Sequence, residues 1–311
     1  MENDVRSFIH AGNRQLAAKA YGPACVEYSR ALDLQPGLAA AHYNIGAIFL
    51  MAGRPDDGIP ALLTAAELQP GNAQFAIALA RALLDSGDRQ RAASLLDATH
   101  RRIPGDASLA EAARQLPTDP AASASYDGVR DQVDPADATD RLARALMDAE
   151  KGDTDAAFHT VKSLVWALPG STELWCLLAR LAPGRASGEY AELCARRAVA
   201  LAPDNPAGWV WLARCLRGSG SRDEDAERAL TTATRLCGHG PALSDARIEL
   251  LLAANRFESA AAFLDQLKAE TDGAEADILR LRARVHEAAG EFTEAARCFD
   301  EAIAIAPERA D

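Results

Sequence analysis

Aromatic residues and lysine are scarce in this chain of 311 residues. Phe, Trp and Tyr together make up 5% of the sequence, and only four of the 33 basic residues are lysine. A β-sandwich or β-barrel needs β-branched and aromatic strands, so this alanine-rich composition disfavours both and favours closely packed helices. The excess of arginine over lysine is typical of a high-GC genome and favours a bacterial source.

Long apolar runs and an excess of positive charge are also missing. No stretch approaches the roughly eighteen uncharged apolar residues of a membrane span. The residues after Met1 show neither the basic nor the apolar segment of a secretory signal. We therefore expect a cytoplasmic protein without membrane insertion. The net charge of −12 disfavours nucleic-acid binding, because an acidic surface repels phosphate.

No pattern of catalytic or metal-binding residues is present. The sequence has no G-x-G-x-x-G, P-loop, H-E-x-x-H or G-x-S-x-G motif. Its six cysteines are scattered without a C-x-x-C pair, so we expect free thiols rather than disulfides. Cys237 and His239 come nearest to a metal pair but have no second pair of ligands. We therefore predict no enzymatic activity, no metal and no cofactor for this chain.

Prolines recur at a fixed interval. Pro36, Pro70 and Pro104 are 34 residues apart, and so are Pro169 and Pro203. Each closes a stretch with apolar residues at i, i+3, i+4 and i+7, which is the pattern of amphipathic helices. The spacing therefore predicts a repeated pair of helices.

Two further positions recur in phase with the prolines. A small residue in the first helix lets the second helix approach closely, at Gly12, Gly46, Ala80, Ala145, Ala179, Ala213 and Ala283. A glycine supplies the turn where the first helix stops, at Gly53, Gly87, Gly152, Gly220 and Gly290. One such hairpin cannot bury its apolar face alone, so neighbouring units must form the core together.

These units resemble the tetratricopeptide repeat, and eight of them follow in phase over about nine tenths of the chain. The resemblance implies an all-α fold, a right-handed α-solenoid of about eight to nine stacked helix-turn-helix units. We predict an N-terminal array over residues 1–116, with three repeats and a following helix, and a C-terminal array of five repeats over 138–311. The segment 117–137, rich in Pro, Ala, Ser and Asp, is either a degenerate repeat or a hinge.

In this family the first helices line a concave groove that binds peptides. One subtype clamps the carboxylates of chaperone tails with Lys, Asn, Asn, Lys and Arg. Asn13 and Asn44 match the two Asn positions, whereas Ile9, Gln74 and Ala78 replace the cations. Without cations nothing offsets the desolvation of the carboxylates, so we do not expect chaperone-tail binding.

The groove positions contain a row of arginines instead. Arg81, Arg180, Arg214 and Arg284 share one repeat position, with Arg217 and Arg280 one turn away and Trp211 beside Arg214. Guanidinium groups beside a Trp suit a carboxylate or a backbone carbonyl. We predict that Arg180, Arg214 and Arg217 form the main anion-accepting site, and we expect Arg214 and Arg217 to be exposed.

The alternative is that these arginines pair with acidic residues on the same face. Glu173, Asp245, Glu249 and Asp277 occupy that face. In that case the row is a solvated charged surface without a ligand.

Apolar residues characterise the two ends of the chain. Tyr43 and Met51 at N-terminal groove positions suit an apolar peptide or helix. At the C-terminal edge, Phe292, Phe299 and Ile303 are expected to face water. We therefore expect this edge to dock a second copy of the chain or another domain.

On these grounds we predict a non-catalytic protein–protein interaction scaffold. Its ligand would be a peptide or partner protein in the concave groove. The alternative implied by the resemblance is an N-terminal recruitment region of a larger enzyme, of the sulfotransferase, glycosyltransferase or 2-oxoglutarate-dependent oxygenase type.

Overall fold

Alternating helices and short turns follow from the recurring positions. The computed structural model describes residues 2–115, 135–182, 188–217, 222–238, 240–270 and 275–306, and within these ranges every regular element is an α-helix. The predicted all-α helical-repeat fold is confirmed. The helices form two compact units, Met1–Pro203 (unit 1) and Asp204–Asp311 (unit 2).

The described helices keep the predicted pairing of a first and a second helix in each repeat. Unit 1 contains α1 (Glu2–Ala17), α2 (Tyr21–Leu34), α3 (Ala39–Met51), α4 (Pro55–Leu68), α5 (Ala73–Asp85), α6 (Arg89–Arg102), α7 (Ala107–Gln115), α8 (Pro135–Glu150), α9 (Thr154–Ala167), α10 (Thr172–Leu181) and α11 (Gly188–Leu201). Unit 2 contains α12 (Pro206–Leu216), α13 (Asp223–Cys237), α14 (Pro241–Ala253), α15 (Phe257–Glu270), α16 (Glu275–Ala289) and α17 (Phe292–Ile305).

The turns inside the repeats use the left-handed backbone region. Gly53, Gly87, Gly152 and Gly290 have φ values of 71°, 86°, 84° and 82°, as expected where only a residue without Cβ is unstrained. Lys19 and Asn255 take the same place in two repeats, with φ values of 58° and 55°. Gly220, predicted for this role, lies outside the described residues.

Glycines in the first helices allow close helix packing. A Cβ added at Gly46 would lie 2.5 Å from Leu62 Cγ, and one at Gly12 would lie 2.6 Å from Tyr28 Cε1. Any side chain there would push the second helix away. The predicted reason for a small residue at this position is confirmed at both glycines.

The central turns of helices α4 and α11 are buried on all sides. Ten consecutive residues of α11, Tyr190–Val199, are buried, and so are eight of α4, Gly58–Ala65. A second helix on the outside of a solenoid exposes one face to water. Here α11 packs along α4, and its Leu193 enters the core cluster that α2, α3 and α4 form.

Buried ion pairs hold α11 in this position. Arg196 binds Asp33 of α2, with Nη1 2.8 Å from Oδ1, and Glu192 of its own helix, with Nε 2.7 Å from Oε1. Burial alone would lower the pKa of Arg196, but the two carboxylates raise it above its ordinary value. Arg197 pairs with Glu67 of α4. In this case burial lowers the pKa more than Glu67 raises it.

Weaker contacts extend the same interface towards α6 and α9. Lys162 Nζ lies 3.1 Å from Asp56 Oδ1, and the Arg91 guanidinium lies 4.9 Å from the centre of the Trp166 ring. The fourth and fifth predicted units therefore pack through their second helices against the second helices of the first three units. A linear stack in which each unit touches only its neighbours, as the sequence suggested, does not describe unit 1.

The proposed arrays 1–116 and 138–311 and the segment 117–137 stay predictions. Residues 116–134 lie outside the described residues, so the choice between a degenerate repeat and a hinge stays open. The unit boundary after Pro203 falls at a different place, one of the predicted repeat-closing prolines.

Unit 2 is built around α14, α15 and α16. Ile248, Leu251, Leu264, Ile278 and Leu281 form its buried apolar cluster. The outer side of α17 exposes apolar side chains, with Phe292 69%, Phe299 37% and Ile303 45% exposed. This agrees with the predicted exposure, whereas the docking of a partner there stays a prediction.

Removal of the Arg196 side chain should unfold the α11 interface. In Arg196→Ala, Asp33 and Glu192 stay buried without their cation, and we expect the unfolding free energy to fall by about 3–5 kcal/mol. Arg54→Ala is the matched control, because Arg54 bridges Asp57 and Glu189 across the same interface but is 37% exposed. Its loss should cost about 1 kcal/mol or less. Urea unfolding followed by circular dichroism measures both, and equal losses would contradict a special role for Arg196.

The burial of His42 should make stability depend on pH. Burial lowers the pKa of His42 to about 3, and its Nε2 lies 2.9 Å from the Pro36 carbonyl oxygen. The unfolded chain, with a His pKa of about 6.5, binds the proton more readily, so stability is full above pH 6.5 and falls as the pH drops. Between pH 7 and pH 5 the wild type should lose about 2 kcal/mol more than His42→Gln. Urea unfolding at both pH values checks this, and an equal loss in the two proteins would show that His42 is not the cause.

Candidate functional site

The first helices of unit 2 place the predicted arginines on one face. α12, α14 and α16 pack side by side. Arg214 and Arg217 lie at the end of α12, and Arg280 and Arg284 lie on α16. Between them, α14 contributes Asp245 and Glu249. We call these six side chains, together with Trp211 of α12 and Asp277 of α16, the charged groove.

Ion pairs connect the three helices. Asp245 Oδ2 lies 2.7 Å from Arg214 Nη2, and Asp245 Oδ1 accepts a hydrogen bond from Arg284 Nη1. Glu249 Oε2 lies 2.8 Å from Arg217 Nη1 and 3.4 Å from Arg214 Nε. The alternative drawn from the sequence, that the arginines pair with acidic residues of the same face, therefore describes Arg214, Arg217 and Arg284. Because the arginines outnumber these two carboxylates, the groove keeps positive charge.

Arg280 is held least tightly. Its Nη1 lies 3.7 Å from Asp277 Oδ1, and its side chain is 54% exposed. An exposed pair at this distance within one helix contributes little. Arg280 is therefore well placed to meet a partner.

Trp211 lies beside this charge network. The Arg214 guanidinium lies 4.9 Å from the centre of the Trp211 ring, as the sequence predicted for these neighbours. The ring and the two carboxylates together leave Arg214 only 22% exposed. The expectation that Arg214 is exposed is therefore wrong, whereas Arg217, at 38%, meets it.

A cleft of about 560 Å³ opens beside the charged groove. Its lining includes the apolar side chains Leu267, Ile278, Leu281 and Phe299 and the charged side chains Arg214, Asp245, Asp277, Arg280 and Arg284. Phe299 comes from α17, and no sequence signal places that residue beside the start of α14. Apolar side chains and charges of both signs, with one more arginine than aspartate, therefore line the same cleft.

Three predicted groove residues of unit 1 contact aromatic side chains of the same unit. Tyr28 donates a hydrogen bond from Oη to Asn13 Oδ1 over 2.7 Å and also bonds Asn44. Burial raises the pKa of Tyr28. Tyr43 stacks on Phe75, with ring centres 4.8 Å apart. The two asparagines therefore support a buried tyrosine, an interaction that the comparison with chaperone-tail binders did not suggest.

The remaining arginines of the predicted row lie in unit 1. Arg81 is exposed and lies 3.9 Å from Asp85 of its own helix. Arg180 is exposed in the last turn of α10. Among the described residues of unit 1 neither side chain has a network like that of Arg214, and the members of the row that share a network are Arg214 and Arg284 of unit 2.

Three absences hold for the described part of the chain. No group of three or more His, Cys, Asp or Glu side chains there is placed to bind a metal ion. Within the same ranges no helix has the length and apolar character needed to cross a bilayer. All six cysteines are free thiols, and burial raises the pKa of Cys176 to about 12.

Family models identify the chain. Residues 5–73, 49–116 and 276–309 each match a model of the tetratricopeptide repeat. These matches agree with the helix pairs, the left-handed turns and the close packing at Gly12 and Gly46. The protein is a tetratricopeptide repeat protein. No curated protein sequence matches it.

Several solved structures are similar to this chain. A thermophilic tetratricopeptide repeat protein of Thermus thermophilus is 20% identical and has a TM-score of 0.48, covering 55% of this chain and 93% of its own. A tetratricopeptide repeat protein of Parabacteroides merdae is 14% identical with a TM-score of 0.44, covering 98% and 94%. The TPR2AB domain of yeast Sti1, in complex with pHSP90, is 15% identical with a TM-score of 0.38, covering 82% and 100%. At this level of similarity none of them bears on function.

Charge reversal at Arg214 should destabilise unit 2. Arg214→Glu places a third carboxylate beside Asp245 and Glu249, so we expect the unfolding free energy to fall by about 1–3 kcal/mol. Arg217→Glu, at the more exposed end of the network, should cost about 1 kcal/mol or less. Urea unfolding of both variants measures the difference. Two midpoints equal to that of the wild type would contradict this account of the network.

Proposed function

We propose that this protein is a protein-interaction scaffold and that its partner binds in the charged groove of unit 2. The repeat architecture supports a role in protein interaction, and no catalysis is assigned to the chain. No observation within the described residues favours the alternative of a recruitment region of a larger enzyme.

The balance of charge in the groove is the observation that supports this site. Four guanidinium groups face three carboxylates there, in a chain whose net charge is −12. The excess cation at Arg280 adjoins the cleft, so a partner meets a positive and an apolar surface together. Local positive potential on an acidic protein directs acidic partners to this place.

Capture from the groove identifies the partner. A photo-crosslinking amino acid is introduced at position 280, which belongs to the charged groove. The control carries it at position 282 of the same helix, where Arg282 normally pairs with Asp265 of α15. A partner of the groove should be crosslinked from position 280 and not from position 282. Mass spectrometry of the crosslinked protein then names it.

Charge reversal at Arg280 should weaken binding of that purified partner. Arg280→Glu removes the cation that is least occupied, so we expect the dissociation constant to rise at least about tenfold, with little change in stability. Arg297→Glu is the matched control, because Arg297 is also exposed and lies 3.7 Å from Glu301 of its own helix. Calorimetric titration measures both variants. Equal affinity of wild type and Arg280→Glu would show that the charged groove is not the binding site.

A further inference from the structure

Asp245 occupies the two arginines that flank it in the charged groove. One of its oxygens contacts Arg214 of the preceding first helix, at 2.7 Å, and the other contacts Arg284 of the following one. One carboxylate thus binds two guanidinium groups from two different helices, as the carboxylate of a bound acidic peptide would.

The packing of α14 on α16 does not depend on the contacts of Asp245. α14 and α16 share the buried cluster that contains Ile248, Leu251, Ile278 and Leu281. The Asp245 side chain is 31% exposed and that of Arg284 38% exposed. An ion pair as accessible to water as Asp245–Arg284 adds little to stability, whereas its effect on a charged ligand is direct.

We propose that Asp245 is an internal competitor for acidic partners. Its carboxylate occupies Arg214 and Arg284, and an acidic peptide segment must displace it to reach both guanidinium groups. Asp245 therefore determines specificity, because it favours partners with several clustered carboxylates over those with one. This inference rests on the proposed binding role of the charged groove.

Neutralising Asp245 tests the proposal with a defined probe. The probe is fluorescein-labelled hexaglutamate, with hexaglutamine as its neutral counterpart, and binding is followed by fluorescence anisotropy at fixed ionic strength. Asp245→Asn should bind hexaglutamate about tenfold more tightly than the wild type, and hexaglutamine binding should not change. The control Asp265→Asn changes the net charge equally but frees Arg282 outside the groove, and it should leave both affinities unchanged.

A double variant separates competition from a structural effect. If Asp245 acts by occupying Arg284, Asp245→Asn combined with Arg284→Gln should lose most of the gain in hexaglutamate binding. Wild-type protein gives a further measurement, since hexaglutamate should shift the side-chain NMR signals of Arg214 and Arg284. This measurement does not depend on the folding of any variant.

Three results would overturn the inference. The first is that hexaglutamate binds Asp245→Asn no more tightly than wild type, the second is that the Asp265→Asn control gains equally, and the third is that the gain persists without Arg284. In each case the proposed function is judged separately, by the effect of Arg280→Glu on the crosslinked partner.

Discussion

The burial of α11 against α4 is the constraint on which unit 1 depends. A helix buried on every side must satisfy every charge it contains, and α11 contains two consecutive arginines. Arg196 is matched by Glu192 of its own helix and by Asp33 of α2, and Arg197 by Glu67 of α4, so two of the three carboxylates come from helices far away in sequence. Because an unpaired charge is so costly there, these pairs fix which faces of the repeats meet. The apolar surfaces alone would tolerate several arrangements.

Ion pairs have a different character in unit 2. The arginines of the charged groove are partly exposed, and the apolar cluster beneath them supplies the packing. An exposed ion pair contributes little to stability, so one of its members can be replaced by a charged ligand at small cost. Its charged groups are therefore available for recognition. The same residue type is therefore buried and structural in α11 and partly exposed on α12 and α16. Burial makes the difference.

The fold was predictable from the sequence because it depends on local signals. The glycine turns, the closing prolines and the small residues at Gly12 and Gly46 act within one repeat, and each keeps its place in the structure. The packing of α11 on α4 was not predictable, because Arg196 and Asp33 are far apart in sequence and have no shared pattern. The phase of the repeats predicted that the arginines of unit 2 lie on one face. That Arg214 and Arg284 pair with Asp245 follows only from the interatomic distances in the structure. Asn13 and Asn44 match the asparagines of chaperone-tail binders in type and position, but in this structure they bind Tyr28. A matching residue type alone therefore does not establish the same role.

The contact between α4 and α11 also restricts how this protein can evolve. An open solenoid gains or loses units freely, because each one touches only its neighbours. In unit 1 an added repeat of 34 residues between these helices would carry Arg196 and Arg197 away from Asp33 and Glu67. Repeat number is therefore fixed there, and homologues with extra or missing repeats should differ elsewhere in the chain.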